Sequence, residues 1–176
     1  MAVWRVYGWF VRGLLGLVVL LVLAVIAIYL WLRTAQPQTD GTLALPGLEA
    51  KATVTRDRYD IPHIAAANLH DAFFALGFVQ AQDRLFQMDT LRRYGEGRIA
   101  ELAGQNSVAL DRFMRTIGLY RSAQEELAAI SPSTRRALDW YAEGVNAYIA
   151  HHAAGEQPLY LLLPAPAPWR AVDTLV

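Results

Sequence analysis

One uninterrupted apolar run near the amino terminus constrains this chain more than any other feature. From Gly13 to Leu32 the sequence reads GLLGLVVLLVLAVIAIYLWL, twenty residues without a charged side chain. A helix rises about 1.5 Å per residue, so this run spans about 30 Å, the thickness of the hydrocarbon core of a bilayer. The run therefore predicts a transmembrane helix over residues 13–32.

The charges that flank the run predict its orientation. Arg5 and Arg12 precede it, whereas Arg33 alone follows closely. The positive-inside rule then places residues 1–12 in the cytoplasm as a short tail and everything after Arg33 outside. A cleaved secretory signal is the alternative, but its apolar run is only about 7–15 residues long and small residues precede its cleavage site. Residues 31–35 (WLRTA) fit such a site poorly, so an uncleaved anchor is favoured.

The composition excludes several classes of site. The chain has no cysteine, which excludes a disulfide framework, a thiolate metal site and a cysteine nucleophile. It has 16 basic and 16 acidic residues, and this balance argues against a nucleic-acid-binding surface.

The segment after the anchor predicts a linker followed by a β-hairpin. Residues 33–49 are rich in Pro, Gly, Gln and Thr and are typical of a linker that carries a soluble portion, residues 50–176. Residues 51–57 alternate polar and apolar side chains as a half-buried strand does. After a turn at Tyr59-Asp60, residues 61–66 predict a second short strand, with Pro62 at its start or on a sheet edge.

A long helix should follow the hairpin. Asn68 is a suitable N-cap, and Asp71 three residues later favours the positive end of a helix dipole. The helix is predicted over residues 69–94, with its first half apolar on nearly every face, as in a buried helix. Gly95 and Gly97 are predicted to end it.

Further helical segments complete the chain. Residues 98–103 predict a short piece ended by Gly104, and residues 111–130 one or two amphipathic helices. Ser131-Pro132 is an N-cap followed by proline at the first helical position. The apolar face of this last helix consists of Leu138, Tyr141, Val145, Tyr148 and Ile149.

The predicted elements are unbalanced. Two weak strands accompany four or five helical pieces, most with apolar faces, so the hairpin lacks a sheet and the helices lack a second layer. The sequence therefore has the character of the front part of a longer protein.

No residue qualifies as a nucleophile. The serines, at positions 107, 122, 131 and 133, lie outside any GxSxG motif, and Ser131 and Ser133 fit helix-cap positions better. A self-processing hydrolase needs a Ser, Thr or Cys freed as a new amino terminus, often after Gly. Gly41-Thr42 is the only such pair, and it lies in the predicted linker.

The histidines and carboxylates favour structural roles. His63, His70 and His151-His152 form no HExxH or paired helical spacing, and His63 in the second strand is interpreted as a structural imidazole rather than a general base.

Two acid–arginine groups on the long helix receive different interpretations. Asp89 precedes Arg92 and Arg93 by three and four residues, which is typical of a helix-surface ion pair. Asp83 and Arg84 stand in an apolar helix and are predicted to have buried partners, with Gln80, Gln82 and Gln87 as amide donors. Glu96 and Arg98 belong to a loop that could face a cleft.

The ordered motifs of residues 50–176 resemble the penicillin acylase family, which includes penicillin, cephalosporin and acyl-homoserine lactone acylases. The resemblance begins in the hairpin and runs in order almost to the end of the chain. It is carried by Arg56-Asp57, Tyr59, Ile61-Pro62-His63-Ile64, Ala66, Asp71-Ala72, Ala75-Leu76-Gly77-Phe78, Ala81-Gln82-Asp83-Arg84-Leu85-Phe86-Gln87-Met88, Arg92-Arg93, Gly97-Arg98, Glu101-Leu102-Gly104, Asp111, Tyr141, Gly144-Val145-Asn146-Ala147 and Pro168-Trp169.

The resemblance implies an α+β chain: the first part of a four-layer α/β/β/α N-terminal-nucleophile hydrolase, mostly helical, with a short hairpin. The predicted transmembrane helix precedes it and departs from many relatives, in which a cleavable signal is expected. Family members are exported precursors that cut themselves into α and β chains, and the first serine of the β chain is the nucleophile. Residues 50–176 then correspond to an incomplete α chain, the nucleophile is expected beyond Val176, and no catalytic or metal residue is assigned. A structural calcium ion is an expectation for the full-length protein only.

The resemblance also implies partners, namely the remainder of the same precursor and a small amide substrate. The predicted anchor adds the inner membrane of a bacterium, with the soluble part in the periplasm or outside the cell. The isolated chain is expected to be inactive and marginally folded. Two alternatives stay open: a non-catalytic membrane-tethered binding or scaffold module, and a small inner-membrane partner protein.

Overall fold

The computed structural model describes residues 2–34, 39–151, 160 and 163–176. The chain divides into two compact units, Met1–Gln38 and Thr39–Val176. The first unit contains helix α1, Ala2–Thr34. Within it, Arg12–Arg33 has a mean hydropathy of 3.0 and is long and apolar enough to cross a membrane. Anchors and signal sequences share these two properties, so the helix by itself does not distinguish between them.

The second unit begins with the predicted hairpin. Strands β1 (Thr53–Arg56) and β2 (Pro62–Ala65) pair antiparallel, with Val54 opposite Ile64 and Thr55 opposite His63. The Asp57 carboxylate shapes the turn by accepting the amides of Tyr59 and Ile61 at 2.8 and 3.0 Å. The hairpin prediction is confirmed, with strands a few residues shorter than the alternating pattern suggested.

Helix α2 runs over Leu69–Glu96, and Asn68 caps it by accepting the Asp71 amide at 2.7 Å. The helix has a kink at Arg84, where φ is −151° and ψ is 30°, which the sequence did not indicate. The predicted break at Gly95 is wrong. Gly95 lies inside the helix, at a position where a Cβ would come within 2.0 Å of the Val176 side chain, and Gly97, with φ of 66°, ends the helix.

The remaining described helices are all shorter than α2, and the last of them is the longest. They are α3 (Ala100–Ala103), α4 (Val108–Ile117), α5 (Leu119–Ala129) and α6 (Pro132–His151), with 3-10 turns at Gln105–Ser107 and Ala171–Thr174. The predicted one or two helices over 111–130 are two, because Gly118 adopts a φ of 78° between them. Ser131 caps α6 as predicted and accepts the Thr134 amide at 3.1 Å.

The core of this unit lies between α2 and α6. Two glycines permit their close approach: a Cβ at Gly77 would lie 2.1 Å from the Tyr141 carbonyl oxygen, and one at Gly144 would lie 1.9 Å from that of Phe74. No side chain fits at either position, so the backbones of the two helices touch. The buried cluster built around this contact contains Phe78, Ala81, Leu85, Met88, Tyr141, Ala142, Val145, Tyr148, Tyr160 and Trp169.

Candidate functional site

Polar groups concentrate at three places along α2, and together they form the candidate site. The first is the amino end. The carboxylate of Asp71 is fully buried and accepts the amides of Glu49 and Ala50, both at 2.9 Å, and the Asn68 side chain at 3.0 Å. Burial opposes ionisation, but these donors and His70 outweigh it and lower the pKa of Asp71. Asp71 therefore fastens the end of the linker to the helix.

His70 extends this group. Its ring lies 3.0 Å from the Asp71 carboxylate through Nδ1 and 3.4 Å from that of Glu143 through Nε2. Burial opposes protonation, but the two carboxylates outweigh it and raise the pKa of His70. The ring also packs edge-on against Trp140. His70 thus joins α2 to α6.

His63 has a different environment. Its side chain is 64% exposed, and its Nε2 lies 3.5 Å from the Asp57 carboxylate. It neighbours a hairpin turn, and none of the four serines lies in a described contact with it. His151 ends α6, whereas His152 lies outside the described residues.

The second place is the middle of α2, where the prediction of buried partners for Asp83 and Arg84 is wrong. Asp83 pairs with Arg56 of β1 at 2.6 Å on a surface where its side chain is 23% exposed. Arg84 is exposed at the kink. Both residues lie on the solvent side of the helix, although their neighbours Ala81 and Leu85 are buried in the core.

The third place is the carboxyl end of α2, where the prediction of a surface ion pair is also wrong. Asp89, Arg92 and Arg93 are at most 4% exposed. Asp89 pairs with both arginines, and Arg92 also donates to the buried Asp173 at 3.2 Å. The segment around Trp169 covers this face, and it lies about 75 residues further along the chain, beyond the reach of helical periodicity.

The covering segment is held by its backbone as well as its charges. Arg92 donates to the carbonyl oxygens of Ala167 and Pro168 at 3.2 Å, and its guanidinium lies 4.9 Å from the Trp169 ring centroid. Asn146 of α6 forms two hydrogen bonds with the backbone of Trp169, at 2.6 and 2.8 Å. The covering segment therefore forms a second link between α2 and α6, in addition to the contacts of His70.

Glu96 and Arg98 line a cleft, as the sequence suggested. The cleft has a volume of about 420 Å³ and lies between the end of α2 and helices α4 and α5. Glu96 accepts from Arg98 at 2.7 Å and from Arg170 at 2.8 Å. The Asp111 carboxylate of α4 accepts the amides of Ile99 and Ala100 at 2.8 and 3.0 Å and so holds the start of α3 against α4.

These groups support a structure rather than a reaction. In the described part of the chain, serine hydroxyls form no hydrogen bond with a histidine or a carboxylate, and no three His, Asp or Glu side chains are placed to hold a metal ion. The geometry provides a set of charged groups that pair with one another and connect the hairpin, α2, α6 and the segment around Trp169.

The comparison with known proteins explains this arrangement. The family model for penicillin amidase matches residues 51–176. The chain belongs to the penicillin amidase family. A penicillin acylase 2 proenzyme from Pseudomonas sp. strain SE83 is 41% identical over 138 residues, which cover 78% of this chain and 18% of that protein. The acyl-homoserine lactone acylase QuiP of Pseudomonas fluorescens Pf0-1 is 44% identical over 117 residues, or 66% and 14% of the two chains.

A solved structure is similar as well. A thermostable penicillin G acylase from Alcaligenes faecalis is 32% identical, with a TM-score of 0.57, and the match covers 70% of this chain and 68% of that one. The chain spans less than a fifth of the length of the two curated penicillin amidase relatives described above. The family resemblance predicted from the hairpin and helix motifs is therefore confirmed.

Sequence reasoning missed Asp173 and Tyr160 as partners of the ion pairs in this penicillin amidase chain. Tyr160 donates to Asp89 at 3.4 Å, and its pKa is raised by burial and by that carboxylate. The family resemblance included Pro168-Trp169 and so marked this part of the chain. Nothing in the sequence, however, indicated that these residues lie near Asp89.

Proposed function

We propose that this chain is the N-terminal part of a membrane-anchored, self-processing acylase that hydrolyses linear amide bonds of an acylated small molecule. A β-lactam or an acyl-homoserine lactone is the substrate class that its relatives' names support. The observation that carries the proposal is the family match over residues 51–176, together with the likeness to a penicillin G acylase at 32% identity.

The catalytic groups belong to the remainder of the polypeptide in this proposal. A serine beyond Val176, freed by self-cleavage, attacks the amide carbonyl while its own α-amine accepts the proton. An oxyanion hole on the same segment stabilises the tetrahedral intermediate, whose C–N bond breaks as the α-amine gives its proton to the departing amine. Water then hydrolyses the acyl ester and releases the acid. The word proenzyme in the name of one relative supports processing of this kind.

In this proposal the described chain contributes structural support to the enzyme. Its hairpin and helices are proposed to join the sheets and helical layer of a four-layer fold, which supplies the partners that the two-stranded sheet of the described residues lacks. A structural calcium ion, if the complete enzyme has one, is proposed to bind outside this chain, since the described residues offer no suitable cluster.

The membrane helix gives the proposal its location. Residues 13–32 are proposed to cross the inner membrane once, with residues 1–12 in the cytoplasm and the domain from residue 50 in the periplasm. Separation of membranes from periplasm tests this part. A protein of uncleaved mass in the membrane fraction supports the anchor, whereas a soluble protein lacking residues 1–35 indicates a cleaved signal.

The decisive experiment is to read the coding frame beyond Val176 and to express its whole product. A Gly-Ser junction, two chains on mass spectrometry and hydrolysis of a chromogenic phenylacetyl or fatty-acyl amide are expected. Replacement of that serine by alanine should abolish both processing and hydrolysis. A stop codon directly after Val176 would contradict the enzyme and favour a tethered binding or scaffold module. Hydrolysis by the 176-residue chain alone would contradict the assignment of the chemistry to the remainder.

A further inference from the structure

The cleft beside Glu96 has an uneven balance of charge. Four arginines line it, namely Arg98, Arg115, Arg121 and Arg170, against the single carboxylate of Glu96. Arg98 and Arg170 are paired, the first with Glu96 and Glu101 and the second with Glu96 and Asp173. In the part of the chain that the structure describes, neither Arg115 nor Arg121 forms an ion pair with a carboxylate.

Of these two arginines, Arg115 is held by a backbone hydrogen bond, and Arg121 lies beside the backbone at Gly118. Nε of Arg115 donates to the Gly97 carbonyl oxygen at 2.9 Å, which leaves its two terminal amino groups for other acceptors. The guanidinium of Arg121 lies against Gly118, where a Cβ would come within 2.9 Å of Nη2. Gly118 also has a φ of 78°, so this position favours glycine for two reasons.

Further polar groups surround the same space. Tyr120 and Gln124 line the cleft and can donate a hydroxyl and an amide hydrogen. The guanidinium of Arg170 lies 5.6 Å from the Tyr120 ring centroid, which fixes the ring between α5 and the end of the chain. The site thus combines two free guanidinium forks with neutral donors in a concave space of about 420 Å³.

We propose that this cleft binds a phosphate group through Arg115 and Arg121. Arginine forks bind phosphate and carboxylate oxygens in pairs, and a dianion matches the two uncompensated charges better than a monocarboxylate does. Tyr120 and Gln124 would serve the remaining oxygens. The site takes no part in amide hydrolysis, so measurement of phosphate binding tests it separately from the proposed function.

The phosphate group has two possible sources, a free phosphate or phosphate ester and the headgroup of an anionic phospholipid. The test begins with the purified chain in neutral detergent, titrated with sodium phosphate at constant ionic strength and followed by calorimetry. Saturable binding is expected. Arg121→Gln should weaken it about tenfold or more because a charge-assisted contact is lost.

Arg112→Gln is the matched control. Arg112 is an exposed arginine of α4 outside the cleft, so its loss removes the same charge from a neighbouring position and should leave phosphate affinity unchanged. Arg121→Lys should bind with intermediate affinity, since it keeps the charge and loses the fork. Circular dichroism confirms that each variant folds as the parent does.

Absence of saturable binding by the folded parent chain would overturn the proposal, as would an equal loss in the Arg121 and Arg112 variants. A second arm uses vesicles of phosphatidylglycerol or phosphatidylcholine with the chain anchored in them. If phosphatidylglycerol abolishes the binding of added phosphate and phosphatidylcholine does not, the site takes a lipid headgroup. If phosphate binds equally in both, the site takes the free anion.

Discussion

Helix α2 carries two acid–arginine groups less than two turns apart, and the fold treats them in opposite ways. Asp83 meets Arg56 on the surface, whereas Asp89 meets Arg92 and Arg93 in the interior. The residue types are the same in both. The difference is the covering segment: residues 167–173 close over Asp89, and Asp83 lies beside a two-stranded hairpin that covers one side only.

An Asp–Arg pair therefore contributes differently to stability at the surface and in the interior. At the surface, water and ions already satisfy both charges, so the pair contributes little. In the interior each charge depends on its partners, so the group holds the fold in one arrangement and tolerates no single loss.

The largest effect is expected from Asp89→Asn. It leaves Arg92 and Arg93 buried with one carboxylate fewer, and the free energy of unfolding should fall by about 3–5 kcal/mol. Urea unfolding in detergent measures this. Asp83→Asn is the matched control and should cost less than about 1 kcal/mol. Equal losses in the two variants would contradict the distinction between the buried and the exposed group.

The next effect tests the close contact between α2 and α6. Gly144→Ala places a Cβ 1.9 Å from the Phe74 carbonyl oxygen, so α2 and α6 must separate. A loss of about 1–3 kcal/mol or more is expected from this overpacking. Gly104→Ala is a control in which the added Cβ has open space, although its φ of 80° adds a strain of its own. A neutral Gly144→Ala in thermal unfolding would disprove the close contact.

His70 offers an intermediate case, since it is half-buried between the carboxylates of Asp71 and Glu143. Its pKa is raised in the folded chain, where burial opposes and the two carboxylates favour the proton. The stabilisation is therefore fully present below its unfolded pKa of about 6.5 and is lost as the pH rises through the folded value.

Unfolding measured from pH 5.5 to 9 should show this loss of stability in the parent chain and a flatter profile in His70→Gln. The pKa of Asp71 is lowered, so its own titration lies below this range and does not interfere. An unchanged slope in the variant would assign the pH dependence to other groups.

The smallest effect is expected from Arg56→Gln. The pair with Asp83 is partly exposed, so its loss should cost about 0.2–1 kcal/mol, and less in 1 M salt than in 0.05 M. The buried group around Asp89 should show little salt dependence. A salt-independent loss in Arg56→Gln would mean that the hairpin pair is shielded from solvent after all.

Much of the second unit followed from local patterns. Asn68 and Ser131 predicted helix starts, Asp57 and Pro62 lie in a hairpin at the predicted place, and Glu96 and Arg98 line the cleft that their loop suggested. These predictions succeeded because caps and turns are made by residues a few positions apart, so their geometry is contained in the sequence around them.

Other features depended on contacts across the chain. Gly95 packs closely against Val176, and Asp71 accepts the amides of Glu49 and Ala50, more than twenty residues away. Whether an arginine of the cleft has an ion-pair partner depends on how α4 and α5 pack against the end of α2. Periodicity identifies the faces of a helix, but it does not identify what covers each face.

The sequence by itself determined the apolar helix near the amino terminus, the hairpin, the helix starts and membership of the penicillin amidase family. Only the tertiary structure decided which charges are buried, because the segment around Trp169 that covers Asp89 and Arg92 lies far along the chain. The Arg92–Asp173 pair alone spans 81 positions. Burial turns an ordinary helical ion pair into a group whose every member is required, since a charge removed from water must find its compensation within the protein.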